Sequence, residues 1–100
     1  MTCSNLLTPA QVERLAVLIE ECAEVQHAAC KILRHGYLSY NPNAPFHDNR
    51  TQLQRELADL TVILEMMAAG GEISDEEVAA YVPTSRKQKS FYMRNQGALR

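Results

Sequence analysis

The sequence predicts an all-α protein: two long antiparallel helices followed by one or two short C-terminal helices. Three observations carry that expectation. Apolar residues recur at three- and four-residue intervals over two long stretches, each stretch opens on a capping residue and closes on glycine, and no segment shows the two-residue alternation of a strand. At 100 residues the chain is a single small domain, and an apolar share of 46% with 22% charged residues excludes a disordered, collagen-like or membrane-spanning composition.

Residues 1–8 read as an N-terminal extension. Thr8-Pro9-Ala10-Gln11 then supplies an N-cap, a proline at the first helical position and the glutamine of a capping box. The first helix is expected to run to about His35, where Gly36 stops it. Residues 36–48, GYLSYNPNAPFHD, carry no helical period and read as a loop long enough to have a function. Asp48 or Asn49 caps a second helix that ends at Gly70-Gly71. Ser74-Asp75-Glu76-Glu77 opens a third with another capping box. Pro83 is expected to end or kink it, leaving a short helix around residues 85–94 and a frayed end.

A chain of this size has difficulty covering the apolar stripes of helices about 30 to 40 Å long, so self-association into a four-helix bundle, as a homodimer or homotetramer, is expected. The opening MTCSNLLTPAQVERL lacks the form of a signal peptide, which predicts a cytoplasmic protein. Cysteine usage agrees, since Cys22 and Cys30 lie two helical turns apart, about 12 Å by rise, too far for a disulfide, and Cys3 is left without an intrachain partner. Five of the ten Lys and Arg residues fall in the basic tail, residues 84–100, which contains no acid. Without a basic run or a nucleic-acid motif, that tail does not predict nucleic-acid binding.

The chemistry is signalled by IEECAEV, residues 19–25, where three glutamates stand within five positions and like charges face each other one turn apart. With Glu20 at zero and about 100° per residue, Glu24 falls near 40° and Glu21 near 100°, beside the stripe of Leu15, Leu18, Cys22, Val25, Ala29, Ile32 and Leu33 at roughly 120° to 220°. On the second helix Glu56 lies within the stripe of Leu53, Leu57, Leu60, Ile63, Leu64 and Met67, with Asp59 at its edge. A carboxylate aimed at a core has to be paired, protonated or metal-bound. No cation lies four residues after Glu20, Glu21, Glu24 or Glu56, and Arg55 stands one turn before Asp59 in the less favourable order. Antiparallel packing brings Glu21 and Glu24 opposite Glu56 and Asp59, an all-oxygen set suited to Mg²⁺ or Mn²⁺.

EECAE at 20–24 followed by ELAD at 56–59 resembles the EExxE…ExxD signature of the MazG-like, all-α nucleoside triphosphate pyrophosphohydrolases. KILRHGY and NRTQLQRELADL resemble the small, phage-type members. The resemblance covers about residues 12–69, and the loop accounts for a spacing between the motifs longer than in many members. It implies Mg²⁺-dependent hydrolysis of a (deoxy)nucleoside triphosphate to the monophosphate and pyrophosphate, in the host cytoplasm if the chain is phage-encoded. Glu21, Glu24, Glu56 and Asp59 match the family's metal ligands, and Glu20 is left to support the site or orient the attacking water.

Lys31 shares the helical sector of the glutamates and Arg34 follows it, so both are candidates for holding phosphate oxygens, with Arg50 a weaker one. His27, His35 and His47 show no ligand spacing and receive no role. The loop and the basic tail are expected to close over the substrate. Two alternatives stay open: a non-catalytic dimeric helical interaction module, and a relative specialised for dUTP or phosphoribosyl-ATP.

Overall fold

A computed structural model describes residues 5–97; Cys3 and Arg100 lie outside them, as does half of the N-terminal extension. Three helices follow in order, α1 (Pro9–His35), α2 (Asn49–Ala69) and α3 (Asp75–Tyr92), and the described residues form no strand. Helix α1 has the predicted capping box: the Thr8 hydroxyl accepts the Gln11 N–H at 3.2 Å, and the Gln11 side chain accepts the Thr8 N–H at 2.9 Å. It stops at Gly36, whose φ of 85° and ψ of 168° belong to a region essentially closed to residues with a Cβ. Helix α2 is capped by Asp48, which accepts the Thr51 N–H at 2.8 Å, and that bond holds the Asp48 carboxyl below its usual range.

Helices α1 and α2 form an antiparallel hairpin. Tyr37 meets Arg50, Glu24 meets Glu56 and Arg14 meets Glu72, so one number falls as the other rises. The loop between them is stitched to the start of α2 by the backbone: the Asn49 N–H donates to the Ser39 carbonyl and the Arg50 N–H to the Tyr37 carbonyl, each at 2.9 Å, and Tyr40 and Asp48 form an isolated antiparallel bridge.

The core is a narrow seam in which Ala28, Ile63 and Met67 are the buried apolar residues among those described. That seam differs from the predicted stripe. On α1 it runs through Val17, Leu18, Glu21, Val25, Ala28 and Ile32, while Cys22, Ala29 and Leu33 are exposed; on α2, Leu57 and Leu64 are exposed. The physical reason is that each helix has one packing neighbour, and a single neighbour covers a narrower sector than the apolar stripe spans.

The third helix also differs from expectation. It is one 18-residue helix, capped by the Ser74 hydroxyl on the Glu77 N–H, and it continues through Pro83 to Tyr92. A proline deletes one backbone bond, whereas starting a separate helix beyond it would require a fresh nucleus, and the acidic first turn and Lys89 in the last both suit the helix dipole. No residue of α3 is buried, and it makes only marginal contact with α1 and α2. The radius of gyration is accordingly 17.3 Å, against about 13 Å for a compact chain of this length.

Candidate metal centre

Midway along the hairpin the i,i+3 pair Glu21 and Glu24 of α1 faces the i,i+3 pair Glu56 and Asp59 of α2. One carboxylate oxygen from each lies within 4.8 Å of all the others. Helical spacing puts each pair on one face. The central position of Glu56 in the α2 seam, between Leu53, Leu60 and Ile63, turns that face toward α1. Glu21 and Glu56 are half-buried, Glu24 and Asp59 exposed.

The electrostatics are those of crowded negative charge. Burial raises the Glu21 carboxyl above its usual range, and the charges of Asp59, Glu20 and Glu56 add to it. The Glu24 carboxyl is pushed up to about 7, first by hydrogen bonding to Glu56 and then by the charge of Glu21. Gln52 donates to Glu56 Oε1 at 2.5 Å, yet Oε2 of Glu56 and Oε2 of Glu21 are buried without a hydrogen-bond partner among the described residues. Four converging carboxylates, two of which keep a buried oxygen without a partner among the described residues, form a group that could hold a metal ion, with Glu21, Glu24, Glu56 and Asp59 as its ligands. Arg55 does not answer the cluster; its guanidinium lies 3.3 Å from Nδ1 of His47.

A cleft of about 340 Å³ opens beside the carboxylates, lined by Glu24, His27, Ala28, Lys31, Gln52 and Glu56. A second, of about 330 Å³, is lined by Lys31, His35, Ser39, Tyr40, Asn41 and Asn49. Lys31 belongs to both and has no ion-pair partner among the described residues. The predicted residues therefore divide. Lys31 joins the carboxylates, and Glu20 stands outside the four-oxygen cluster but acts on Glu21 and Glu24 through its charge. Arg34 is exposed and lines neither cleft, and the Arg50 guanidinium lies over the Tyr37 ring at 5.5 Å, clasping the loop.

His27 and Gln52 were missed by sequence reasoning, although the signal was present. His27 falls near −20° on the wheel that places Glu20, Glu24 and Lys31 between 0° and about 40°. Gln52 precedes Glu56 by one turn. Looking for spacing among histidines alone concealed a mixed Glu-His-Lys stripe. No protein-family model, curated protein or solved structure matches the chain.

Proposed function

We propose that this protein is a divalent-metal-dependent (deoxy)nucleoside triphosphate pyrophosphohydrolase of the MazG-like type, releasing pyrophosphate and a nucleoside monophosphate. The observation that carries the reading is the convergence of Glu21, Glu24, Glu56 and Asp59 with two buried, unpartnered carboxylate oxygens, next to a cleft with an unpaired Lys31. When bound there, a divalent ion supplies charge screening for the phosphates and activation of water. The chain's own residues do the rest. Lys31 holds phosphate oxygens as a point charge on the wall shared by the two clefts. Glu20, exposed beside the cluster, orients the attacking water. Gln52 fixes Glu56 through its donated hydrogen bond, so that the other oxygen of that carboxylate stays aimed at the cluster.

The same reading includes a second copy of the chain. Leu57, Val62, Leu64 and Met66 on α2 and Val78, Tyr81, Val82 and Phe91 on α3 are exposed, and self-association is the means of covering them. Sedimentation equilibrium should therefore give at least a dimer at micromolar concentration.

The test of the activity is pyrophosphate release from the eight common ribo- and deoxyribonucleoside triphosphates with Mg²⁺ or Mn²⁺. Metal-dependent release from at least one is expected, and release from none contradicts the reading.

A further inference from the structure

The cleft bounded by the end of α1, the 36–48 loop and the start of α2 has no part in the metal cluster, and its lining is unlike that of the first cleft. It contains no carboxylate: besides Lys31 it presents His35, Ser39, Tyr40, Asn41 and Asn49. Two of these have their amide orientation fixed by bonds to the loop itself. Asn41 Oδ1 accepts the Asn43 N–H at 2.9 Å, which leaves the Asn41 NH₂ as a donor, and Asn49 Nδ2 donates to the Gly36 carbonyl at 3.0 Å, which leaves the Asn49 Oδ1 as an acceptor. Neither remaining group has a partner among the described residues, nor does the Tyr40 hydroxyl. The rim is held by the backbone bonds from Asn49 to Ser39 and from Arg50 to Tyr37, so these groups are presented by a fixed frame.

We infer that this second cleft is the nucleoside subsite: Tyr40 provides a face for the base, and the free donor of Asn41 and free acceptor of Asn49 read its edge. The inference rests on the hydrolase reading above and adds the recognition it lacks. An edge that offers a hydrogen-bond acceptor beside a donor is what a nucleobase presents and a phosphate does not, and a phenol ring beside it suits stacking. Placement agrees. Glu24, Lys31 and His35 follow one another along α1, and the rise from Glu24 to His35 is about 16 Å. A nucleoside triphosphate laid along that face has its phosphates between the carboxylates and Lys31 and its nucleoside between Lys31 and the loop.

The test measures kcat and KM for pyrophosphate release on the panel of eight nucleotides with wild type, Asn41→Asp and Tyr40→Leu. Asn41→Asp keeps the Oδ1 that binds the Asn43 N–H and replaces the NH₂ donor by a charged acceptor, which reverses what that edge can pair with. Tyr40→Leu keeps the backbone bridge to Asp48 and removes the ring. Asn41→Asp is expected to change the ratio of kcat/KM between best and poorest nucleotides by about tenfold, and Tyr40→Leu to raise KM for all of them by about tenfold. Either change supports the assignment. If wild type turns nucleotides over and both readouts stay within about twofold of it, the nucleoside lies elsewhere and this inference is wrong while the hydrolase reading stands. Turnover of no nucleotide by wild type overturns both.

Discussion

The α1–α2 hairpin carries glutamate at two places along one interface and treats it in opposite ways. Toward the open end, Arg14 reaches across to Glu72 in the turn after α2. The Arg14 Nε–H donates to Glu72 Oε2 at 2.8 Å, a second bond forms through Nη2, and the Glu72 carboxyl is held below its usual range. Gly70 makes room, since a Cβ there would stand 2.8 Å from Glu72 Oε2 and 3.1 Å from Arg14 Nη2. In the middle, four carboxylates meet without any ion-pairing cation among the described residues, and the Glu21 and Glu24 carboxyls are pushed upward. The first arrangement completes itself and is structural. The second is incomplete as a piece of protein: an interface that pairs a glutamate with arginine at one end brings three glutamates and an aspartate together in the middle, a group that could hold a metal ion.

Breaking the two arrangements should have opposite consequences. Glu24→Gln or Glu56→Gln should lower kcat by about a thousandfold, while the metal-free protein melts no lower than wild type, since each substitution removes repulsion. Activity within a few-fold of wild type in both variants would remove the cluster from the mechanism. Arg14→Met should do the reverse, lowering the melting temperature by a few degrees because Glu72 is left half-buried without its partner. Its kcat/KM should stay within about twofold of wild type, and a large loss of turnover in that variant would show that the open end is part of the site.

The carboxylate half of this contrast was legible in the sequence, and the Arg14–Glu72 half was not. The ends of α1 and α2 are written in local chemistry, by Thr8, Pro9 and Gln11 at one start, Asp48 at the other, and Gly36 and Gly70 at the stops. The cluster was legible because Glu56 lies in the middle of an apolar stripe, a placement that requires pairing, protonation or a bound cation. The helix through Pro83 was not, because a single residue's penalty had to be weighed against the propagation of all its neighbours. The second cleft was not legible either. Asn41 and Asn49 become a donor and an acceptor only through bonds to Asn43 and Gly36, which depend on how the loop closes on α2.

The smallest expected effect is in pH. For a carboxyl whose folded pKa is raised from 4.5 to about 7, the folded state holds a proton that the unfolded state has lost between those values. Stability conferred by Glu24, and in the same direction by Glu21, is therefore present at low pH and lost as pH rises through that window. Glu72 acts with the opposite sign, its contribution being lost as pH falls below the ordinary carboxylate range. Metal-free protein should consequently melt higher at about pH 5.5 than at about pH 8, and Glu24→Gln should flatten that slope. A slope unchanged in Glu24→Gln would place its origin elsewhere.

The claim that the cluster is a cation site is tested most directly by melting curves recorded with increasing Mg²⁺ or Mn²⁺ at about pH 8, above the value of about 7 to which the Glu24 carboxyl is pushed. A ligand bound only by the folded state raises the melting temperature with concentration. Wild type should show that rise, and Glu56→Gln should lose most of it although it melts no lower than wild type without metal. No rise in wild type up to millimolar metal, or an equal rise in Glu56→Gln, would contradict the account.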